Sequence, residues 1–468
     1  MRGSLAQLIA SIPGSRLTGD ATFDNVSTDS RTARAGALFV ALRGETFDAH
    51  DFLPQVAANG AAAVVAERLP EGWTLPALVV PDTLAALGRI ANQWRRQYAI
   101  PVIGVTGSNG KTTVKEMIAS ILAAAVGEDA RLATQGNLNN EIGVPLTLMR
   151  LEASHRAAVV ELGMNHPGEI ARLAAIAQPT VALVNNAQRE HQEFMHTVEA
   201  VAQENGSVFA ALPADGVAVY PGDDTYTALW QGLAAACRSI TFGLDQACDV
   251  RATYTNCDTS TEFGNKLKVT TPEGAFELTL AAAGEHNVRN ALAAIACALA
   301  AGIDQGTIVR GLESFAPVGG RLQRKQAANG ATVIDDTYNA NPDSMRAAVD
   351  VLAAYPAPRI LVVGDMGEVG TQGREFHEEI GAYAHSRGID TVLATGDLSR
   401  HLVAAGGSAQ GSSRFKHFEQ FDALLAALDE QLGGNSDATV LVKGSRFMKM
   451  ERVVNHLIGS TNTGKDAH

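Results

Sequence analysis

At 468 residues, with 46% hydrophobic and 19% charged side chains, the chain is long enough for about three packed domains and ordinary in composition for a globular protein. A formal net charge of −13 excludes nucleic acid as the main partner, because phosphate backbones demand clustered Lys and Arg; it leaves room for a nucleotide held by local positive groups. No apolar run reaches the ~18 residues that span a bilayer, no secretory leader pattern follows Met1, and Cys237, Cys248, Cys257 and Cys297 lack metal-ligand spacing. A cytoplasmic protein with free thiols and no membrane insertion is expected.

In chain order, residues 1–98 mix short elements: Ala37–Leu42 and Ala62–Ala66 read as strands and Leu84–Arg96 as a helix, punctuated by Pro76 and Pro81. After a break at Tyr98–Pro101, the apolar run Ile100–Val105 leads into Thr106-Gly107-Ser108-Asn109-Gly110-Lys111-Thr112-Thr113 and then a helical pattern over Val114–Ala124. Strand, glycine loop with Lys-Thr, and helix together cradle polyphosphate. Backbone N–H groups curl around the anion, the helix N-terminus adds partial positive charge, Lys111 reaches the outer phosphates, and the Thr112 hydroxyl suits Mg²⁺. The general pattern places a further glycine four residues ahead of the Gly-Lys pair; here that position is Val105, so the loop is a shortened variant.

Strands Ala157–Leu162 and Thr180–Asn185 continue a parallel sheet, whose carboxyl ends are where such folds bind ligands. Glu161 ends the first. It is either a Mg²⁺ ligand beside Thr112 or a loop-start carboxylate. His191, just beyond Asn185-Asn186, is a metal ligand, an acid/base or a loop histidine. Between them, Gly136–Pro145 is dense in amides (Asn137, Asn139, Asn140), fitting either a sugar- or peptide-like ligand or a capped turn. Residues 250–280 switch to strand-like alternation, an antiparallel annex. An alanine-rich helix follows over Asn287–Ala301, in which Asn287 is an N-cap or a nucleotide contact.

Pro317-Val318-Gly319-Gly320 reads as a hinge. Beyond it, strands at Thr332–Asp335, Arg359–Gly364, Thr391–Ala394 and Thr439–Val442 alternate with helices. Asp335-Asp336-Thr337-Tyr338-Asn339-Ala340-Asn341-Pro342 ends the first with a composition suited to ribose hydroxyls and a base edge. The polar tail 459–468 is expected to be disordered. The fold class is therefore α/β with three domains: a small α/β domain (1–98), a central phosphate-loop domain with a parallel sheet (99–316), and a C-terminal doubly wound, Rossmann-like domain (317–468).

The order of these motifs resembles the Mur ligases, the ATP-dependent amide-forming enzymes of peptidoglycan precursor synthesis. The shortened loop, Gly136-Asn137 through Leu148, Asp335–Pro342 and Lys443-Gly444-Ser445-Arg446 carry the resemblance, which runs from about Thr28 to Arg452. It implies that residues 1–98 hold a UDP-muramoyl peptide through Ser30, Arg31, Gly44, Asp48 and His50, with Asn137, Asn139 and Asn140. It implies ATP contacts at Thr106–Thr113, Asn287, Asn290, Arg321, Asp336 and Tyr338, and Mg²⁺ at Thr112, Glu161 and His191. Lys111, Glu161 and His191 become the catalytic set. Asn339, Asn341, Lys443 and Arg446 face the acceptor, with closure about the hinge.

Within the family the motifs match the member that joins D-Ala-D-Ala to UDP-N-acetylmuramoyl-tripeptide through an acyl phosphate, and the chain is expected to act as a monomer. A sibling ligase, a folate polyglutamylating enzyme and a non-catalytic nucleotide-binding module are the alternatives. One position departs from the family: a lysine that is usually carbamylated to hold a second Mg²⁺ is replaced by Asn205, so that either Glu204, or Asn205 through water, substitutes as the ligand or the second metal site is weaker or absent.

Overall fold

The computed structural model describes residues 1–44, 46–190, 192–258, 263–407 and 414–459. His191 and most of the polar tail lie outside these residues. The longest sheet runs, edge to edge, through Arg131–Ala133, Ala157–Glu161, Val102–Thr106, Val181–Val184, Val217–Pro221, Arg238–Gly243, Val250–Asp258, Phe263–Thr271 and Gly274–Leu280. Its first seven strands pair in parallel and its last two pairings are antiparallel. The expected annex is thus an extension of the central sheet.

Parallel strands covered by helices on both faces must be apolar on both sides, and Val102–Thr106, Ala157–Glu161 and Val181–Val184 are buried at every position. Glu161 pairs in register with Val105, and Val184 with Thr106, so the ends of three neighbouring strands surround the phosphate loop.

The C-terminal sheet is ordered Gln323–Gln326, Thr332–Asp336, Thr439–Lys443, Arg359–Val363, Thr391–Thr395 and Phe415–Phe418, antiparallel only at its first pair. The N-terminal sheet runs Arg16–Leu17, Ala77–Val79, Ala63–Ala66, Ala37–Val40 and Asn25–Ser27.

The N-terminal unit is docked firmly on the central one. Its helix Thr83–Arg95 is capped by Asp82, which accepts from the Ala85 amide at 2.9 Å. It meets helix Glu169–Ala177 so closely that a Cβ on Gly88 would sit 2.8 Å from Ile176 Cδ1. Arg95, buried, donates to the carbonyls of Ala177 and Gln178, and Trp94 Nε1 and the Tyr98 hydroxyl both donate to Leu151 O at 3.0 Å. One hydrophobic core runs from Leu5 and Leu38 into Val160, Leu173 and Val184. Among the described residues, no helix is long and apolar enough to cross a membrane.

Candidate active site

Gly107 at φ 134° and Gly110 at φ 79° take conformations that L side chains rarely adopt. Space enforces the choice: a Cβ on Gly110 would lie 2.5 Å from Asn290 Oδ1. The loop between them feeds helix Lys111–Val126, three residues earlier than periodicity suggested, because Gly110 absorbs the turn. Asn185 Nδ2 and Asn186 Nδ2 donate to Asn109 O at 2.8 and 2.9 Å, Asn185 Nδ2 also reaches Asn290 Oδ1 at 2.9 Å, and Asn290 Nδ2 donates to Asn287 Oδ1 at 3.1 Å. Asn287 lies inside helix Glu285–Ala300, whose N-cap is Gly284, so the capping reading of Asn287 is corrected.

Lys111 Nζ is folded onto its own loop. It donates to Gly107 O, to Ser108 O at 3.0 Å and to Glu190 Oε2 at 3.3 Å. Thr112 Oγ1 donates to Glu161 Oε1 at 3.2 Å, and Asn139 Nδ2 donates to the same oxygen at 2.8 Å. The Glu161 amide in turn donates to Thr134 Oγ1 at 2.9 Å, and buried Lys115 donates to Thr134 O at the same distance. Glu161 is 2% exposed and its Oε2 finds no hydrogen-bond partner among the described residues. An anionic oxygen so placed beside the loop hydroxyl fits a divalent cation. No cluster of three His, Cys, Asp or Glu side chains occurs among the described residues. Mg²⁺ commonly completes a shell of a few protein oxygens with phosphate oxygens and water.

Facing the loop, Lys443 Nζ pairs with Asp336 Oδ2 at 2.7 Å and donates to Asn339 O at 2.8 Å, and the Leu322 amide donates to Asp336 Oδ1 at 3.2 Å. Arg321 stacks over Tyr338, 4.0 Å to the ring centroid. Arg446 pairs with Glu451 at 3.2 Å. Asn341 caps helix Pro342–Ala353 through Ser344 N at 2.8 Å, and its Nδ2 reaches Asn109 Oδ1 at 2.8 Å. These groups line one cavity of about 930 Å³, which also takes in Asn137, Asn139, Asn140, Leu84 and His286. Burial pushes the His286 imidazole below its ordinary value, favouring the neutral ring.

Other expected residues are not in this cavity. Ser30, Arg31, Gly44, Asp48 and His50 stay within the N-terminal unit. His50 is 4% exposed; its Nδ1 meets Asp48 Oδ1 at 2.6 Å and its Nε2 accepts from the Glu67 amide at 2.9 Å. With both ring nitrogens hydrogen-bonded within the unit, His50 orients Asp48. The hydrogen bond from the His50 amide, with others from Arg68 and the ring, holds the Asp48 carboxyl well below the usual carboxylate range.

Glu204 meets a neighbouring helix: its two oxygens accept from the Gly168 and Ile170 amides at 2.8 and 2.9 Å, at the N-terminus of helix Glu169–Ala177. Asn205 accepts from the Thr106 hydroxyl and is 1% exposed, with Nδ2 unpartnered among the described residues. Glu190, Thr134 and Gln188 escaped sequence reasoning. Only Glu190 left a signal, as a carboxylate just past a strand's carboxyl end.

Three family models match in succession: Mur ligase family, catalytic domain, over residues 22–95; Mur ligase middle domain over 105–298; and Mur ligase, glutamate ligase domain, over 320–446. The chain belongs to the Mur ligase family. This Mur ligase is 41% identical to the UDP-N-acetylmuramoyl-tripeptide–D-alanyl-D-alanine ligase of Escherichia coli (strain K12), over 97% of this chain and 98% of the relative. A crystal structure of MurF from Acinetobacter baumannii superimposes with a TM-score of 0.90 at 36% identity, covering 98% and 99% of the two chains. MurF of Thermotoga maritima, solved in complex with ADP, gives a TM-score of 0.82 at 26% identity, over 93% and 97%.

Proposed function

We propose that this Mur ligase joins D-alanyl-D-alanine to the terminal carboxylate of UDP-N-acetylmuramoyl-tripeptide, cleaving ATP to ADP and phosphate. Residues 1–98 would carry the UDP-muramoyl peptide, 99–316 the nucleotide, and 317–468 the acceptor dipeptide. Full-length similarity to ligases of that name supports the substrate pair. The carrying observation is a single cavity in which Lys111, Thr112 and Glu161 of the central unit face Asp336, Lys443 and Arg446 of the C-terminal unit.

The chemistry follows from that juxtaposition. A carboxylate does not condense with an amine at neutral pH, so a carboxylate oxygen first attacks the γ-phosphorus and the bond to ADP breaks, leaving an acyl phosphate. The dipeptide amine then attacks the acyl carbon, loses a proton, and phosphate departs. Lys111 must exchange Gly107 O, Ser108 O and Glu190 for phosphate oxygens, and thereby orients them. Thr112 and Glu161 would hold Mg²⁺, which when bound neutralises phosphate charge.

Asn185 and Asn290 hold the loop backbone rigid while this happens. Lys443 and Arg446 offer positive charge to the acceptor's carboxylate, while Asp336 and Tyr338 meet the nucleoside. Closure about Pro317–Gly320 keeps water from the acyl phosphate. Use of ATP and a UDP-linked substrate supports a cytoplasmic reaction. The test is ADP release from defined mixtures. It should require both the UDP-muramoyl tripeptide and D-Ala-D-Ala; release without the dipeptide, or equal use of a single amino acid, would overturn the assignment.

A further inference from the structure

Arg189 follows the strand end that supports the phosphate loop, yet its side chain leaves the central unit. Its amide and guanidinium donate to Asp343, at 2.8 Å from N, 2.7 Å from Nη2 and 3.1 Å from Nε. The same guanidinium reaches Glu379 at 2.6 and 3.1 Å and lies 5.4 Å from the Phe376 ring centroid. Asp343 and Glu379 belong to helices Pro342–Ala353 and Gly373–Ser386 of the C-terminal unit. One arginine thus grips two helices of the unit that bears Asp336 and Lys443.

Its chain neighbours tie the grip to the nucleotide loop. The Gln188 amide donates to Ser108 Oγ at 2.8 Å, Gln188 Oε1 accepts from Asn109 Nδ2 at 2.6 Å, and Glu190 holds Lys111. Hydrogen bonding from Arg189 holds the Glu379 carboxyl below its ordinary value. A planar fork shared by two carboxylates fixes orientation in a way a lysine cannot.

We propose that Arg189 is a positioning residue, a latch that holds the C-terminal unit over the phosphate loop and so sets the acceptor dipeptide against the activated carboxylate. The latch rests on the reading of the cavity as the ligase active site. Because the N-terminal unit is docked independently, loss of the latch spares the UDP-muramoyl peptide and acts on what the C-terminal unit supplies, the acceptor groups first and the nucleoside contacts of Asp336 and Tyr338 with them. A closed state that is less populated raises the apparent KM of the ligand that needs it.

Steady-state kinetics and small-angle scattering of Arg189→Ala, Arg189→Lys, Asp343→Asn and the Arg189→Ala/Asp343→Asn double variant test this. Arg189→Ala should lower kcat/KM for D-Ala-D-Ala about tenfold while the KM for the UDP-muramoyl tripeptide is unchanged. Arg189→Lys should recover part of the loss, and the double variant should be no worse than Arg189→Ala. With a non-hydrolysable ATP analogue and the UDP-muramoyl tripeptide, the wild type should contract and Arg189→Ala should not. Unaltered kinetics and contraction, or an equal fall in kcat for every substrate with no change in KM, would overturn the latch. A wild type that fails to use D-Ala-D-Ala would instead overturn the ligase assignment, so the two failures are distinguishable.

Discussion

Thr112 and Glu161, 49 residues apart, meet at 3.2 Å across the mouth of the phosphate loop, with the second Glu161 oxygen buried and without a hydrogen-bond partner among the described residues. Two adjacent parallel strands deliver them: one runs into the loop that starts the Thr112 helix, and the other ends in Glu161. That geometry predicts that Glu161→Gln, which keeps shape and removes charge, lowers kcat by about 10²-fold or more and raises the Mg²⁺ concentration for half-maximal rate. A Mg²⁺ titration of ADP release checks it; an unchanged Mg²⁺ midpoint would speak against Glu161 as a ligand.

Glu204 carries a different prediction. With both oxygens on backbone amides of Gly168 and Ile170, it stabilises a helix N-terminus. Glu204→Ala should cost about 1 kcal/mol of stability, seen in chemical denaturation, while leaving the Mg²⁺ dependence of activity as it was. A shifted Mg²⁺ optimum would make Glu204 a metal ligand instead.

Gly110 is held at positive φ with Asn290 Oδ1 where a Cβ would fall. Gly110→Ala must therefore displace the Asn290–Asn185 pair that braces the loop, at a cost of about 1–3 kcal/mol. Calorimetry should show ATP binding weakened by more than tenfold, with the fold retained in circular dichroism.

His377 is fully buried, accepts from the Met366 amide at 3.0 Å through Nε2 and donates from Nδ1 to Gly373 O, so it must be neutral to hold the Gly364–Val369 loop that borders the cavity. Burial lowers its pKa from the ordinary 6.5. The folded state therefore binds its proton less readily than the unfolded chain. The stabilisation is complete above 6.5 and is lost as pH falls toward the folded value. Denaturation midpoints of the wild type should drop between pH 7 and 5, and His377→Asn should lose the part of that slope due to this ring.

Much of this was legible in the sequence. The phosphate loop, the Glu161 strand end and four of the five C-terminal parallel strands announce themselves, because buried parallel strands are unbroken apolar runs and the loop needs glycine at fixed positions; Phe415–Phe418, a half-buried edge strand with Lys416 and His417, does not. Helix Thr83–Arg95 was readable to within a residue or so. Arg131–Ala133 was not: three residues give no periodicity, and with that strand went Thr134, the hydroxyl that seats the Glu161 amide. Nor could the sequence show that the Glu204 oxygens meet the Gly168 and Ile170 amides, since neighbours on a helix point about 100° apart and Glu204 faces away from Asn205. Neither could spacing show that Arg189 crosses to Asp343, since that contact joins positions 154 residues apart.

Product analysis under controlled substrate supply tests the ligase assignment most directly. ATP, Mg²⁺, UDP-N-acetylmuramoyl-tripeptide and D-Ala-D-Ala should yield ADP, phosphate and the UDP-muramoyl pentapeptide in equal amounts, and Lys111→Ala should yield none. ADP formed without pentapeptide, or pentapeptide formed at the wild-type rate by Lys111→Ala, would contradict it.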